Sequence, residues 1–229
     1  MKESLILALE QSTAVGSAAL LRGPTVLAFR SWEESSARNQ RLFAVLPELF
    51  REAGCEANEI ALYAVGLGPG SFSGVRIALS TARGMALPGG SPVVGISSAE
   101  ALAWQIWTKT RVGAVAVVGD ARRERLWLAA FGEENGRLAP RGEIRLVAWD
   151  ELRSAIATGT LLVTPDWARI GERLEPLTEH GAKLERGGGA PHADSLGRLA
   201  VQKLAERTPL PPLRPIYLHP GVSAPPRRP

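Results

Sequence analysis

One stretch limits the possible folds of this chain more than any other. An apolar run from Ile60 to Leu67 passes through GLGPGSFSG, Gly66 to Gly74, into a helical pattern that lasts to Ala86. The run reads as a buried strand. From about Gly74 the pattern places Val75, Leu79, Ala82 and Ala86 on one helix face, and Pro88-Gly89-Gly90 ends it. Gly66, Gly68 and Gly70 permit backbone angles closed to other residues. Ser71 and Ser73 are placed to cap N–H groups at the helix start. Strand, tight turn and helix in this order belong to an α/β fold. Free donors at the helix start would suit a phosphate. The segment has no G-K-[ST] ending, however, and does not match G-x-G-x-x-G. A tight structural turn is therefore the simpler reading.

The pattern around this segment occurs twice. Leu5 to Leu9, Ser17 to Leu21 and Thr25 to Phe29 read as three strands with short connections, an antiparallel meander. A helix is expected from about Arg38 to Ala53, where Leu42, Leu46, Leu49 and Phe50 recur at helical spacing with Phe43 beside them. Pro47 should kink that helix or mark a boundary near Leu46. Val93 to Ile96 reads as a short strand, and Ser97 with Glu100 as a capping box for a helix reaching Trp107. Strands then return at Val112 to Val118 and Arg125 to Phe131, joined by a turn at Asp120-Ala121-Arg122-Arg123. A polar connection, Gly132 to Gly142, leads to a strand at Ile144 to Val147. Trp149 to Ala155, Trp167 to Leu174 and Ala193 to Arg207 read as helices, with a strand at Thr160 to Val163. Two similar α/β lobes, 1–108 and 109–208, fit this order, and a single mixed sheet is the alternative. The segment 209–229 holds eight of the 17 prolines; it is expected to be extended, to lie on the body near Pro215 to Leu218, and to be partly disordered.

Composition narrows the chemistry. Hydrophobic residues make up 45% of the 229, enough for two small lobes with a shared interface. No run reaches the roughly 18 apolar residues of a membrane span. MKESLILALE meets Glu10 too soon for a signal peptide and reads as a strand, so a cytoplasmic location with no membrane partner is expected. The lone Cys55 allows no internal disulfide. The formal net charge is +4, and the terminal PPRRP supplies two of those charges, so overall charge argues only weakly for nucleic-acid binding.

The motifs agree, in order, with one family. GLGPGSFSGVRIALSTARGMA, Gly66 to Ala86, resembles the G-x-G-P-G-S-F-T-G-x-R-I-G-x-x-x-A-x-G-L-A motif of the TsaB (YeaZ) family, a non-catalytic branch of the M22 glycoprotease-like proteins. It departs conservatively at Ser73, Ala78 and Met85. LILALEQST resembles I-L-A-[IL]-[DE]-T-S-T, with Glu10 at the acidic position and Gln11 replacing threonine. PVVGISSAEALA from Pro92, Asp120-Ala121-Arg122, and Pro215-Ile216-Tyr217-Leu218 match later family segments. The likeness spans about 4–218. Arg38-Asn39-Gln40 stands where the family has H-S-E, so no role of that histidine and glutamate carries over.

The resemblance implies an actin-like, Hsp70-like (ribonuclease H-like) duplicated two-lobe fold with mixed sheets flanked by helices. It implies a non-catalytic scaffold or activator in the synthesis of N6-threonylcarbamoyladenosine beside the tRNA anticodon. A TsaD-like subunit would transfer the threonylcarbamoyl group from threonylcarbamoyl-AMP, and a TsaE-like ATPase would join the pair. It implies a homodimer in isolation, tRNA reached through the complex, and no cofactor. The motif and turn residues that carry it are Glu10, Gly66, Gly68, Pro69, Gly70, Ser71, Phe72, Ser73, Gly74, Arg76, Asp120 and Arg122.

The side chains independently suit a helper. The three histidines, His180, His192 and His219, form no H-x-x-x-H or H-E-x-x-H pair. Ser71 and Ser73 lack a G-x-S-x-G elbow and any Ser–His–Asp order. No catalytic residue and no metal ligand is expected. Glu10 and Asp120 each follow the first strand of a half; paired, they would suit water-held magnesium in an actin-like ATPase, but turn formation is the simpler role. A stand-alone ATPase or glycoprotease-like hydrolase is the rival function, and a binding protein with another partner the third. The helix about Arg38 to Ala53 carries more apolar bulk than one face needs, and Gly74 to Ala86 is rich in small residues. Leu42, Leu46, Val75, Ala78, Leu79 and Ala82 are therefore expected at a partner surface, where the resemblance also places the TsaD contact.

Overall fold

Leu5–Glu10 (β1) is buried along its whole length. Leu5, Leu7 and Leu9 enter one apolar cluster, Ile6 and Ala8 another. A strand covered on both faces reads as an unbroken apolar run rather than an alternating one. The computed structural model describes residues 4–34 and 41–218. β1 pairs antiparallel with Val15–Arg22 (β2), and β2 with Thr25–Glu33 (β3). Then come Arg41–Ala53 (α1), Ile60–Gly66 (β4), Phe72–Ala86 (α2), Val93–Ile96 (β5) and Ser98–Thr110 (α3). β4 runs parallel to β1 and β5 parallel to β4, giving the order β3-β2-β1-β4-β5.

The second sheet repeats this plan. Ala114–Arg122 (β6), Arg125–Glu134 (β7) and Arg137–Pro140 (β8) form an antiparallel meander. Arg145–Ala148 (β9), Trp149–Ala155 (α4), Leu161–Val163 (β10), Trp167–Leu174 (α5), Lys183–Leu184 (β11) and Ala193–Ala205 (α6) follow. β10 is parallel to β6 and β11 to β10, so β8-β7-β6-β10-β11 is the first sheet's order again. β9 takes the rest of the β7 edge, from Arg125 to Leu128. Two separate sheets with one strand order are the duplicated actin-like fold, not a single mixed sheet.

The helices interlock the two halves. α1 and α2 cover one face of the first sheet, while α6 covers the other through Ala193, Leu196, Leu199 and Ala200. α3 covers the second sheet through Ala99, Leu102, Ala103, Ile106 and Trp107, opposite α4 and α5. α3 and α6 pack together at the centre, and Trp104 reaches the clusters of both sheets. Gly197 lets α6 lie against β1 and β2, since a Cβ there would press on Leu21 at 2.6 Å.

Four local expectations change. α1 runs unbroken past Pro47, whose exposed side puts the unpaired Phe43 carbonyl on the water-facing surface. The expected start at Arg38 and Arg38-Asn39-Gln40 lie outside the described residues, as does 219–229 with His219 and the expected disordered end. Gly132 to Gly142 is no irregular connection: β7 continues to Glu134 and turns at Asn135-Gly136 into β8. The charged, solvent-facing edge hid the alternation there, although Asn-Gly is the strongest hairpin signal. The Asp120 turn is also displaced. β6 runs to Arg122 with a bulge between Asp120 and Arg122, and the tip is Arg123-Glu124. The capping box at α3 is half formed. Ser97 Oγ accepts from the Glu100 N–H at 3.4 Å, while the Glu100 carboxylate pairs with Lys203 Nζ of α6 at 2.7 Å.

Candidate functional site

The glycine turn is organised around Glu10, the last residue of β1. Its carboxylate is fully buried. Oε1 accepts the Ser12 N–H at 2.6 Å and Oε2 accepts the Ser98 hydroxyl at 2.7 Å. Burial pushes the Glu10 carboxyl up from the usual carboxylate range, and these donors pull it back. Ser98 extends the link, because its Oγ accepts the Gly68 N–H at 3.0 Å and its own N–H donates to the Gly68 carbonyl at 2.9 Å. One buried acid thus fixes the end of β1, the turn after β4 and the start of α3.

The glycines of the turn are needed for close approach. A Cβ on Gly66 would collide with the Glu10 carboxylate, one on Gly70 with the Ser12 carbonyl, and one on Gly74 with the Gln11 carbonyl. The Ser71 N–H donates to the Ser12 carbonyl at 2.7 Å, so the turn wraps the loop after β1. Pro69 is buried within it. Ser71 is the cap of α2, its Oγ accepting the Gly74 N–H at 3.2 Å. The helix starts at Phe72, two residues earlier than expected, so Ser73 lies exposed in its first turn. No open phosphate cradle remains at the turn: carbonyls of Gln11 and Ser12 lie against it.

Asp120 occupies the same place in the second half. Its carboxylate accepts the Arg122 N–H at 2.8 Å and lies 3.4 Å from the Arg122 guanidinium and 3.5 Å from Arg169 Nε. The Asp120 N–H donates to Asp166 at 2.9 Å, and Asp166 also pairs with Arg169. Glu10 and Asp120 are thus each committed within their own half. Among the described residues no group of three or more His, Cys, Asp or Glu side chains is placed to hold a metal ion. His180 is exposed, and His192 stacks 5.5 Å from Phe29 with its basicity lowered by burial. Burial and Glu59 push the Cys55 thiol up, away from a reactive thiolate.

A strap from Leu213 to Leu218 crosses this region. Its Ile216 N–H donates to the Leu67 carbonyl at 2.9 Å, and Arg83 donates to the Leu213 carbonyl at 2.8 Å. Arg76 lies 3.6 Å over the Phe72 ring and donates to the Tyr217 hydroxyl at 2.8 Å. Sequence reasoning missed Ser98, Asp166 and Arg169, which no local pattern marks. Only the strand order puts them beside Glu10 and Asp120.

Residues 33–145 match the family model for TsaD, tRNA N6-adenosine threonylcarbamoyltransferase. The chain is 33% identical over 132 residues to the tRNA threonylcarbamoyladenosine biosynthesis protein TsaB of Escherichia coli (strain K12), covering 57% of each chain. It is 31% identical over 142 residues to the same-named protein of Haemophilus influenzae, covering 60% of this chain and 58% of that one. The match thus spans under two thirds of these relatives. The solved structure of YeaZ from Pseudomonas aeruginosa superposes with a TM-score of 0.78 at 26% identity, over 94% of this chain and 100% of that one. In sequence and in fold the chain is similar to the TsaB (YeaZ) proteins.

The residues expected at a partner surface are core. Leu42, Leu46, Val75, Ala78, Leu79 and Ala82 are all buried, and all but Val75 share one cluster with Leu5, Leu7, Leu9 and Leu20 of the first sheet. A helix on a sheet turns its apolar stripe inward, and the small residues of α2 seat it on the strands. What α1 and α2 present outward is different: Phe43 is 58% exposed and Phe72 59%. No helix among the described residues is long and apolar enough to cross a membrane.

Proposed function

We propose that this chain is a non-catalytic accessory subunit in N6-threonylcarbamoyladenosine synthesis on tRNA. It would scaffold and activate a TsaD-like transferase, with a TsaE-like ATPase joining the complex. The observation that carries this reading is the commitment of both motif carboxylates. Glu10 is sealed under Ser12 and Ser98, and Asp120 is neutralised by Arg122 and Arg169. Neither faces a substrate space with a free oxygen pair, which is what an actin-like phosphoryl-transfer site requires of its metal-holding acids. The TsaB names of the relatives supply the reaction. We place the partner surface, and the homodimer of the isolated chain, on the outward face of α1 and α2 around Phe43 and Phe72. That face belongs to the lobe of residues 1–108, and 109–208 forms the second lobe.

The test is reconstitution. The pure chain is mixed with a TsaD-like subunit, a TsaE-like ATPase, the synthase and unmodified tRNA, and threonylcarbamoylation is measured. Modification should require this chain. Equal modification without it, or ATP turnover by the pure chain that is lost with Glu10→Ala, would overturn the accessory reading and favour a stand-alone enzyme.

A further inference from the structure

We infer that the tip of the β6–β7 hairpin, with the outer face of α5, is a binding surface for the phosphate backbone of RNA. This deepens the accessory reading and rests on it for the identity of the RNA. Arg122, Arg123 and Arg125 surround the tip, and all three are exposed. Arg169 and Arg173 of α5 converge on the same point. Arg169 shares the Asp120 carboxylate oxygen with Arg122, at 3.5 and 3.4 Å, and Arg173 lies 3.3 Å from the Glu124 carboxylate. The acids of the cluster sit behind the arginines. The Asp120 and Asp166 side chains are 17% and 14% exposed, against 70% for Arg122, 44% for Arg169 and 51% for Arg173. Glu124 alone points an acid outward from the tip. Arg123 and Arg125 have no ion-pair partner among the described residues. The surface offered to solvent is therefore mostly guanidinium, with Glu124 and the exposed Glu172 of α5 as its acids; guanidinium is the group whose planar donors match phosphate oxygens.

The backbone of the tip shows that these charges stand against local preference. Arg122, Arg123 and Glu124 all have positive φ, at 66°, 52° and 56°. The tight turn of the next hairpin uses Asn135-Gly136, the pair that such φ values favour. At the β6–β7 tip the chain holds arginine and glutamate in a conformation that costs non-glycine residues energy. Strain of this kind at an exposed basic tip points to a role for the side chains.

RNA fits better than a protein partner. Stable protein interfaces centre on buried aromatic or aliphatic anchors. The large hydrophobic residues exposed among the described residues are Phe43, Phe72, Leu87 and Tyr217, and none belongs to this hairpin or to α5. A sugar-phosphate backbone needs no such anchor, because charge and hydrogen-bond donors position it.

The test uses the full chain, a fluorescent unmodified tRNA transcript and anisotropy between about 50 and about 200 mM salt. Arg123→Asn and Arg125→Gln are combined, since asparagine tolerates the left-handed backbone. The double variant should bind on the order of tenfold more weakly, with a log-log salt slope shallower by about 1–2. Its melting temperature should be equal or higher, where a structural role for Arg123 would lower it. Binding within about twofold of wild type with an unchanged slope, or no wild-type binding at the lowest salt, overturns the inference. So does intact tRNA binding with lost capture of polyglutamate, which would assign the surface to an acidic protein. Binding is read apart from modification. A chain that supports modification while the variant binds normally loses only this inference, and one that binds through these arginines without supporting modification loses only the accessory role.

Discussion

The Ser98 hydroxyl donates a 2.7 Å hydrogen bond to the buried Glu10 carboxylate, joining the first turn of α3 to the end of β1 across 88 positions of sequence. The same Oγ accepts the Gly68 N–H, so it serves two buried groups at once. Ser98→Ala should therefore cost about 2–4 kcal/mol, because it strands both a carboxylate oxygen and a backbone donor. Denaturant titration measures it. A loss under about 0.5 kcal/mol, the range of ordinary surface changes, would show that the turn does not depend on this link.

Glu10 also sets a pH dependence. Its carboxyl is raised in the fold above the ordinary 4.5, chiefly by burial. Between 4.5 and the raised folded value, the native state holds the proton that the unfolded state has released. Stability contributed by this group must then fall as pH rises through that window and level off above it. Glu10→Gln removes the titration. The difference in unfolding free energy, wild type minus Glu10→Gln, should decline with rising pH from about 4.5 upward. A difference that rises with pH would mean that the Ser12 and Ser98 donors outweigh burial.

The interlocked helices predict how the halves unfold. The first sheet owes one face to α6, so a fragment ending near residue 112 leaves Ile6, Ala8, Ala19, Leu21, Leu62 and Ala64 uncovered. Those side chains are buried in the whole chain, and an apolar sheet face of that extent does not persist in water. The fragment should aggregate or lack a cooperative melt. The whole chain should unfold in one calorimetric transition. A soluble fragment with its own sharp transition would establish independent lobes.

Much of this architecture was legible, for reasons specific to each element. β1 and β6 are continuous apolar runs because both faces are covered, and Trp167–Leu174 shows its helix through Ile170, Gly171 and Leu174 turning inward. The glycine turn was visible as composition, but its purpose was not. Gly66, Gly70 and Gly74 are required by the Glu10 carboxylate and the Gln11 and Ser12 carbonyls, which approach from a segment some sixty positions away. Crossing of α3 and α6 between sheets left no mark either, since a helix's apolar stripe does not say which sheet it meets. The stripe on α1 misled about direction. Leu42, Leu46 and Leu49 were correctly grouped, yet periodicity alone cannot tell a face turned to the core from one turned to a partner.

The strap predicts two truncations with different outcomes. Leu213 and Ile216 pack on the first-sheet cluster, and the Ile216 N–H bonds Leu67. Ending the chain after Pro212 should cost about 2–4 kcal/mol from lost apolar burial and that hydrogen bond. Ending it after Pro220 keeps all of these contacts. It should leave the melting temperature within about 2 °C, less than the shift of a 1 kcal/mol change for a chain of this size. If both truncations melt alike, the strap contributes nothing to the fold.

The burial of the α2 small residues decides how the partner surface has to be tested. Ala78 and Ala82 are wholly enclosed, so Ala78→Glu or Ala82→Arg would place an unpaired charge in the core and unfold the lobe. Loss of activity in those variants would say nothing about a partner. Phe43 is a better probe, because it is 58% exposed on α1 and its truncation removes little packing within the chain. Phe72 is less clean, since its ring carries the Arg76 guanidinium and meets Tyr217. Phe43→Asp should melt within a few degrees of wild type, with a stability change inside about 0.5 kcal/mol. If α1 and α2 form the docking face, an aromatic at its centre would be an anchor, and replacing it by a charge should weaken self-association and TsaD-like binding at least tenfold, on the order of 2 kcal/mol. Sedimentation of the isolated chain, pull-down of the TsaD-like subunit and threonylcarbamoylation in the reconstituted mixture read the three consequences separately. A folded Phe43→Asp chain that still dimerises, still captures the transferase and still supports modification moves the docking face away from these helices.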